Sequence, residues 1–247
     1  TGASRGIGHA TVKKFGASGW RIITISRQPF SALCPWPGGG ENHVQLDLGD
    51  PVELGRGIEA IRRKLSDGRL DALINNAAIS PKGKNGSRLG AIDTPFDLWR
   101  QVFNVNFFAP VALARGLIEE LSTAQGCVVN VTSIAGSRVH PFAGSAYATS
   151  KAALAALTRE MAHDFGPRGI RVNAIAPGYI MNETTHALAQ SGSFDPSAIN
   201  RRTPMARFGE ESEVAEGIAY LLDPVRASYT TGHVLEVNGG WTSYGFT

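Results

Sequence analysis

Cysteine is scarce in this chain of 247 residues, which holds only Cys34 and Cys127. The two are far apart and form no redox or metal-binding motif, and Cys127 sits in a strand-like run that predicts a buried thiol. The 6 histidines show no metal-ligand spacing either. The sequence therefore predicts no metal site.

Long apolar runs and strong charge are also missing. No run approaches the roughly 20 apolar residues that cross a bilayer, and no signal-peptide pattern is present. The net charge of +3 is too small and too dispersed for a nucleic-acid-binding surface. We therefore expect a soluble cytoplasmic protein that binds neither nucleic acid nor membrane.

Short apolar runs alternate with helical patterns along the chain. The strand-like runs are 20–26, 44–46, 70–74, 127–133, 170–175 and 234–237, and the helical patterns include 95–122, 145–161 and 210–222. Asp50 is a good N-cap for a further helix that starts at Pro51. This alternation predicts an α/β fold, a doubly wound parallel sheet with helices on both faces. With no internal repeat or linker, residues 1–247 fit a single domain.

A glycine-rich stretch, TGASRGIG at 1–8, precedes the first helical pattern. Such a turn presents bare N–H groups and the positive end of a helix dipole to a phosphate. The spacing G-x-x-x-G-x-G differs from the G-x-G-x-x-G fingerprint and is weak alone. A loop of this kind follows the central strand of a doubly wound sheet. We therefore expect the first strand to lie before residue 1.

Tyr147 and Lys151 are four residues apart, so they share one face of the helix predicted from Ser145. A neighbouring ammonium favours phenolate, which predicts a lowered pKa for Tyr147 and a role in proton transfer. Ser133 ends a strand-like run upstream, and the loop between them can bring its hydroxyl to the phenol. Tyr and Lys at this spacing are also common on ordinary helix surfaces.

The residues after run 20–26 bear on cofactor choice. Dinucleotide folds often place an acid there to bind a ribose 2′-hydroxyl, whereas arginine accommodates a 2′-phosphate. This chain has Ser26 and Arg27 at that place, and Arg5 lies in the glycine loop. The sequence thus predicts a preference for NADP(H) over NAD(H).

The motifs together resemble the short-chain dehydrogenase/reductase family, in the branch with 3-oxoacyl-carrier-protein reductases. The matching pieces are TGASRGIG at 1–8, DL at 47–48, NNAA at 75–78, N at 106, S at 133, YATSK at 147–151 and PG at 177–178. The resemblance covers the whole chain and implies a Rossmann-like fold. It also implies hydride transfer between a nicotinamide and a ketone or secondary alcohol.

The resemblance implies roles for individual residues. The catalytic tetrad would be Asn106, Ser133, Tyr147 and Lys151, where the pattern Trp99-x6-Asn-Phe selects Asn106 over Asn104. Cofactor contacts would come from Gly2, Ser4, Arg5, Gly6, Ile7, Gly8, Arg27, Asp47, Leu48, Asn75, Ala77, Tyr147, Lys151, Pro177, Gly178 and Ile180. Two positions depart from the family pattern, Ala78 for glycine and Asn182 for threonine. Asn182 or Thr184 is expected to contact the carboxamide instead.

Substrate and assembly are less constrained. Segment 179–208 has weak periodicity and is predicted to be a lid over the substrate. Candidate pocket residues are Ala135, His140, Phe142, Tyr179 and segment 183–204, and His140 is interpreted as a rim residue rather than an extra acid. We expect a homotetramer, with a dimer as the next choice. The alternatives are an NAD-dependent sugar or polyol dehydrogenase and a non-enzymatic dinucleotide sensor on the same fold.

Overall fold

Parallel strands and helices alternate through the computed structural model, which describes residues 1–31, 38–190 and 195–243. The strands are β1 Thr24–Ser26, β2 His43–Gln45, β3 Ala72–Asn75, β4 Cys127–Val131, β5 Arg171–Pro177, β6 Ile180–Met181, β7 Gly209–Glu210 and β8 Val234–Val237. Every strand pairing is parallel, as the alternation predicts. Cys127 is buried in β4, whereas Cys34 lies outside the described residues.

Nine helices occur in the described part of the chain. They are α1 Gly6–Ala17, α2 Pro51–Lys64, α3 Phe96–Phe103, α4 Ala109–Gly116, α5 Ile118–Ala124, α6 Ser145–Phe165, α7 Glu183–Gln190, α8 Pro196–Asn200 and α9 Glu211–Leu222. The predicted cap of α2 is confirmed, because the Asp50 carboxylate accepts from the backbone N–H groups of Val52 and Glu53. None of the helices described is long and apolar enough to cross a membrane.

Strand β4 is fully buried and divides the core into two clusters. Successive strand side chains point to opposite faces, so Val128 packs with Leu113 on one face and Val129 packs with Ile218 on the other. The first cluster also takes side chains from α2 and α6, and the second from α1. Helices therefore cover both faces of the sheet order β3-β4-β5-β8, as predicted.

The sheet has two sections, because β1 and β2 pair with each other and not with β3. A cavity of about 910 Å³ separates the sections, and residues 20–25 and 71–74 line it. Only Thr24–Ser26 of the predicted run 20–26 is a strand, because residues 20–23 have no neighbour to pair with. At one end of the cavity, the Thr1 nitrogen donates to the Ile74 carbonyl and the Gly2 N–H donates to Ile25. A further strand before residue 1 stays a prediction.

The segment predicted as one helix over 95–122 is interrupted twice. Between α3 and α4 it makes a π-helical turn, Asn104–Phe108, and between α4 and α5 it breaks at Leu117. The asparagine inside the helical pattern predicts a local distortion, and the π turn confirms it. Turns of this type widen a helix and are frequent at functional sites.

Segment 179–208 is more regular than its weak periodicity predicts. It holds β6, α7 and α8, and the Asp195 carboxylate caps α8 through the Ser197 N–H. Residues 191–194 of this segment lie outside the described part of the chain. Whether the segment closes over a substrate stays a prediction.

Candidate active site

Ser133 and Tyr147 meet at the carboxyl end of β4. Ser133 follows the strand in extended backbone, and Tyr147 lies in the first turn of α6. Their hydroxyls form a hydrogen bond. The Ser133 oxygen also accepts from the Ala135 N–H at 3.1 Å, so its own hydrogen is directed elsewhere. The loop thus joins the two hydroxyls as the sequence predicts, and Ala135 is buried behind them.

The pKa of Tyr147 moves in the direction opposite to the prediction. Burial raises the pKa of this phenol, and the hydrogen bond from Ser133 is the influence that lowers it. Lys151 does share the helix face, with its nitrogen 5.8 Å from the centre of the phenol ring. Removal from water penalises phenolate more than that ammonium stabilises it. The expectation of a lowered phenol pKa is therefore wrong for this structure.

Lys151 is only 1% exposed, and burial lowers the pKa of its ammonium to about 7. Its nitrogen donates to the Val131 carbonyl at 2.6 Å, at the end of β4. A buried lysine with this pKa exchanges a proton near neutral pH. The strand end and the first turns of α6 therefore hold two adjacent groups that can exchange protons.

Asn106 lies in the π turn and is 0% exposed. Its oxygen accepts from the Ile79 N–H at 2.9 Å, and its nitrogen donates to the Ile79 carbonyl and to the Ser150 hydroxyl, each at 3.0 Å. Ser150 in turn donates to the Tyr147 carbonyl at 2.7 Å. Among the described residues, the Asn104 side chain makes a single hydrogen bond, at 3.3 Å to the Gly49 carbonyl. The structure thus connects Asn106, and not Asn104, to the helix that carries Tyr147.

The glycine loop leaves an open cradle at the start of α1. Arg5 is the N-cap in extended backbone, and no side chain caps the helix. A Cβ on Gly8 would lie 2.2 Å from the Gly2 carbonyl oxygen, so only glycine fits there. Gly2 itself has φ of 66°, which glycine alone adopts freely. Uncapped first-turn N–H groups are a ready anion site, and this loop fits the pyrophosphate of a dinucleotide.

The two asparagines at the end of β3, Asn75 as its last residue and Asn76 just after it, have separate functions that the sequence did not distinguish. Asn76 donates to the carbonyls of Thr1 and Gly2 at 2.9 and 3.2 Å, which joins the glycine loop to the end of β3. Asn75 is buried and donates to Asn130 at 2.9 Å inside the sheet. Its side chain therefore ties β3 to β4, and the predicted border of Asn75 and Ala77 with a ribose stays a prediction.

At the adenosine end, Ser26 is buried and its hydroxyl donates to the Gln28 carbonyl at 2.8 Å. The Arg27 and Arg5 side chains are exposed and form no hydrogen bond or ion pair with any described residue. The Asp47 carboxylate accepts from the Gly49 N–H at 2.8 Å, and Leu48 is buried. Two arginines without partners thus flank the strand ends where the ribose is expected.

At the nicotinamide end, the Gly178 N–H donates to the Val237 carbonyl at 2.9 Å, and a Cβ on this glycine would meet Asn238 at 2.7 Å. Asn182 caps α7, because its oxygen accepts from the Thr185 N–H at 2.9 Å and from the Thr185 hydroxyl at 3.1 Å. A contact of Asn182 with a carboxamide stays a prediction, and the Thr184 side chain lies outside the description.

Comparison with known proteins identifies the family. The model of the family described as enoyl-(acyl carrier protein) reductase matches residues 2–242. An oxidoreductase of Brucella ovis, from the short-chain dehydrogenase/reductase family and solved with a partially ordered NAD, is 57% identical with a TM-score of 0.80 over 96% of both chains. The chain belongs to the short-chain dehydrogenase/reductase family.

Two curated relatives show the range within this family. Protein FixR of Bradyrhizobium diazoefficiens is 52% identical over 97% of this chain and 84% of its own length. A 3-oxoacyl-[acyl-carrier-protein] reductase of Salmonella typhimurium is 30% identical over 97% of this chain and 94% of its own. Membership in the short-chain dehydrogenase/reductase family confirms the predicted α/β fold and supports a nicotinamide dinucleotide as the cofactor.

Proposed function

We propose that the protein is an NADP(H)-dependent oxidoreductase that interconverts a ketone and a secondary alcohol. One observation carries the proposal: the bonded hydroxyls of Ser133 and Tyr147, with Lys151 on the same helix face, at the sheet edge that holds the open glycine cradle. A dinucleotide sensor would need the cradle but not a buried acid. The arrangement therefore favours an enzyme over a sensor.

The chain's own groups supply the proton and the orientation. A bound nicotinamide provides the hydride in reduction and accepts it in oxidation. Because burial raises its pKa, Tyr147 is a neutral phenol at neutral pH and can give its proton to the substrate oxygen. Ser133 can donate its hydrogen to the same oxygen, since its own oxygen already accepts from Ala135. Lys151 then returns a proton to the phenol from the ammonium that titrates near neutral pH.

Asn106 acts on this machinery through α6. It fixes the Ser150 hydroxyl, which is bonded to the carbonyl of Tyr147 itself. The π turn gives Asn106 its position, because the widened turn brings its amide against the backbone of Ile79 on both the N–H and C=O sides. We assign Asn106 a positioning role in catalysis.

The preference for NADP(H) rests on the adenosine end. Arg27 and Arg5 have no protein partner in the described part of the chain, and Ser26 offers no carboxylate to repel a 2′-phosphate. A charge-assisted bond contributes about 1.5–3 kcal/mol when shielded and less when exposed. One such contact favours NADPH by about tenfold. The alternative is NAD(H), which the Brucella ovis relative was solved with.

The cofactor proposal is tested by kcat/KM with NADPH and with NADH. The double variant Ser26→Asp, Arg27→Ala is expected to move the preference toward NADH. Arg115→Ala is the matched control, since Arg115 is an exposed arginine on α4 with no bonded partner in the described structure. Equal kcat/KM for the two cofactors in the wild type would show that these arginines do not read the phosphate.

The reaction is tested by a panel of 3-oxoesters, neutral diketones, sugars, polyols and steroids, assayed with both cofactors. Tyr147-dependent reduction of ketones supports the proposal. Oxidation of sugars or polyols with NAD alone would favour the second candidate, an NAD-dependent sugar or polyol dehydrogenase. Cofactor binding without turnover of any member of the panel would favour the sensor.

We also propose a homotetramer, with a dimer as the next choice. On the helical stretch that begins with α3, Phe96 is 82% exposed and Phe108 is 54% exposed. Large exposed apolar side chains on one helical stretch are suited to a surface that another chain covers. Light scattering at micromolar concentration should give four times the 26.2 kDa of one chain. A single-chain mass would contradict this assembly.

A further inference from the structure

The loop between Ser133 and Tyr147 carries His140, whose tautomer is set by the backbone. Its Nδ1 accepts from the N–H groups of Phe142 at 3.2 Å and Ala143 at 3.1 Å. A neutral imidazole that accepts at Nδ1 carries its hydrogen at Nε2. Burial and the nearby cations lower the pKa of His140 to about 4. This residue is therefore an uncharged donor at neutral pH.

Two cations hold the same loop from segment 81–90. Lys82 donates to the Phe142 carbonyl, and Arg88 donates to the Ala143 carbonyl at 2.9 Å. Neither forms an ion pair with any carboxylate in the described part of the chain. We call the two cations Lys82 and Arg88, together with the neutral donor His140, the cationic wall.

The cationic wall lies at the start of α6, where Arg88 also donates to the Ser145 hydroxyl at 3.4 Å. Pro81 and Leu89, the sequence neighbours of the two cations, line a small cavity together with Tyr147. The Ser145 N–H donates to the Leu89 carbonyl at 2.9 Å, which fixes segment 81–90 to the start of α6. Segment 81–90 therefore brings positive charge and N–H donors to the first turn of α6, the turn that holds Tyr147.

The opposite side of the loop adds a further donor and a further positive charge. The Tyr179 ring packs on His140 with centroids 4.8 Å apart. Its buried hydroxyl has no hydrogen-bond partner among the described residues. Arg202 lies close enough for its charge to oppose the rise that burial causes in the pKa of Tyr179. Donors and cations thus surround the loop, and an anion is their natural complement.

We propose that the substrate carries a carboxylate, which the cationic wall binds while the ketone or alcohol lies at Tyr147. The reaction is then reduction of an oxo acid to a hydroxy acid, or its reverse. This inference rests on the proposed function and narrows it. A neutral thioester or ester would bring the two cations no counter-charge.

The test compares 3-oxo acids of four to eight carbons with their methyl esters, which have the same ketone and no charge. We expect kcat/KM for the acid to exceed that for the ester by about tenfold or more in the wild type, the equivalent of one charge-assisted bond. Raising the ionic strength should lower the ratio, since salt screens the exposed cations. In Lys82→Gln and Arg88→Gln the ratio should fall by about fivefold or more, because glutamine keeps an N–H donor and loses the charge.

Lys84→Gln is the matched control, since Lys84 is an exposed lysine in the same segment with no bonded side chain in the described structure. Its acid-to-ester ratio should equal that of the wild type. His140→Phe keeps a ring against Tyr179 and removes the Nε2–H donor, so its ratio should also fall. The same comparison can be made without turnover in the Tyr147→Phe variant with NADPH bound. Cofactor fluorescence then monitors the binding of each acid and ester.

Three results would overturn the inference. If acids react and bind no better than esters, the substrate does not need a carboxylate and the inference is refuted. The proposed function stays intact in that case, provided that the ester or a neutral diketone is still reduced. A wild-type preference for acids that Lys82→Gln, Arg88→Gln and Lys84→Gln all retain equally would show that the cationic wall does not bind the carboxylate. Reduction of no ketone at all would refute the proposed function, and this inference with it.

Discussion

Replacing Asn106 with alanine should lower both stability and turnover, because this one amide connects three parts of the site. It accepts from the Ile79 N–H and donates to the Ile79 carbonyl and the Ser150 hydroxyl, all within 3.0 Å. Alanine leaves the Ile79 backbone without these partners and frees the Ser150 hydroxyl to turn. The π turn then loses its link to the strand end.

The size of the effect follows from these bonds. An unsatisfied group that is buried costs about 1–3 kcal/mol, and Ile79 is partly buried, so we expect about 3 kcal/mol for the whole change. For a domain of this length each kcal/mol lowers Tm by roughly 2–4 °C. Asn106→Ala should therefore melt roughly 6–12 °C below the wild type. Because Asn106 positions α6, kcat should fall more than KM rises.

Asn104→Ala is the matched control. Asn104 lies in the same π turn and makes a single 3.3 Å bond to Gly49, so its loss should lower Tm by roughly 2–4 °C at most, on the scale of one weak hydrogen bond. Equal Tm and kcat for the two variants would refute the reasoning. Melting should be monitored by circular dichroism. Turnover should be measured with the best ketone of the panel.

The remaining predictions concern the cradle and the proton donor. Gly8→Ala should weaken cofactor binding by about tenfold or more and lower Tm, because its Cβ would meet the Gly2 carbonyl oxygen at 2.2 Å. Gly55→Ala, in α2 with nothing within 4 Å of its Cβ, should instead raise stability by about 0.5–1 kcal/mol. The pH profiles should differ with direction. Reduction should decline above about pH 7, because Lys151 returns its proton from an ammonium whose pKa burial lowers to about 7. Oxidation needs phenolate and should keep rising with pH, because burial raises the pKa of Tyr147. An oxidation rate that levels off between about pH 7 and 8 would contradict the raised phenol pKa.

The sequence predicts the layout of the fold because burial patterns repeat along the chain. Runs such as 127–133 and 170–175 alternate with helical patterns, and those strands pair in parallel as expected. Strand pairing over 20–23 is absent because a strand needs a neighbour. Residues 20–23 line a cavity, and the strand expected before residue 1 stays a prediction.

The site was predicted in its residue types and not in its electrostatics. Spacing alone places Tyr147 and Lys151 on one face, and the structure confirms that geometry. The predicted direction of the shift in the phenol pKa was wrong, because the depth to which Tyr147 is buried depends on the whole fold. Burial at the same place also lowers the pKa of Lys151 to about 7. The positive charge that the prediction relied on is therefore weaker at neutral pH.

Side-chain hydrogen bonds between distant segments also could not be predicted from the sequence. Asn106 had a recognisable signal, an asparagine in the middle of a helical pattern. The bonds from Asn76 to the glycine loop and from Lys82 to the loop before α6 had none, because they join residues many positions apart. The backbone that accepts these bonds is in place only after the sheet has formed.

The central claim is that Tyr147 is the proton donor of a carbonyl reductase, and Tyr147→Phe tests it most directly. Phenylalanine keeps the ring near Lys151 and removes only the hydroxyl that Ser133 bonds. Turnover of the best ketone and the Kd of NADPH should be measured on the same samples. The account predicts that kcat falls by at least about 100-fold, the scale of general acid catalysis, while the Kd for NADPH changes by less than about threefold, because the hydroxyl is assigned to the substrate. A variant that retained more than a few per cent of the wild-type kcat would contradict it.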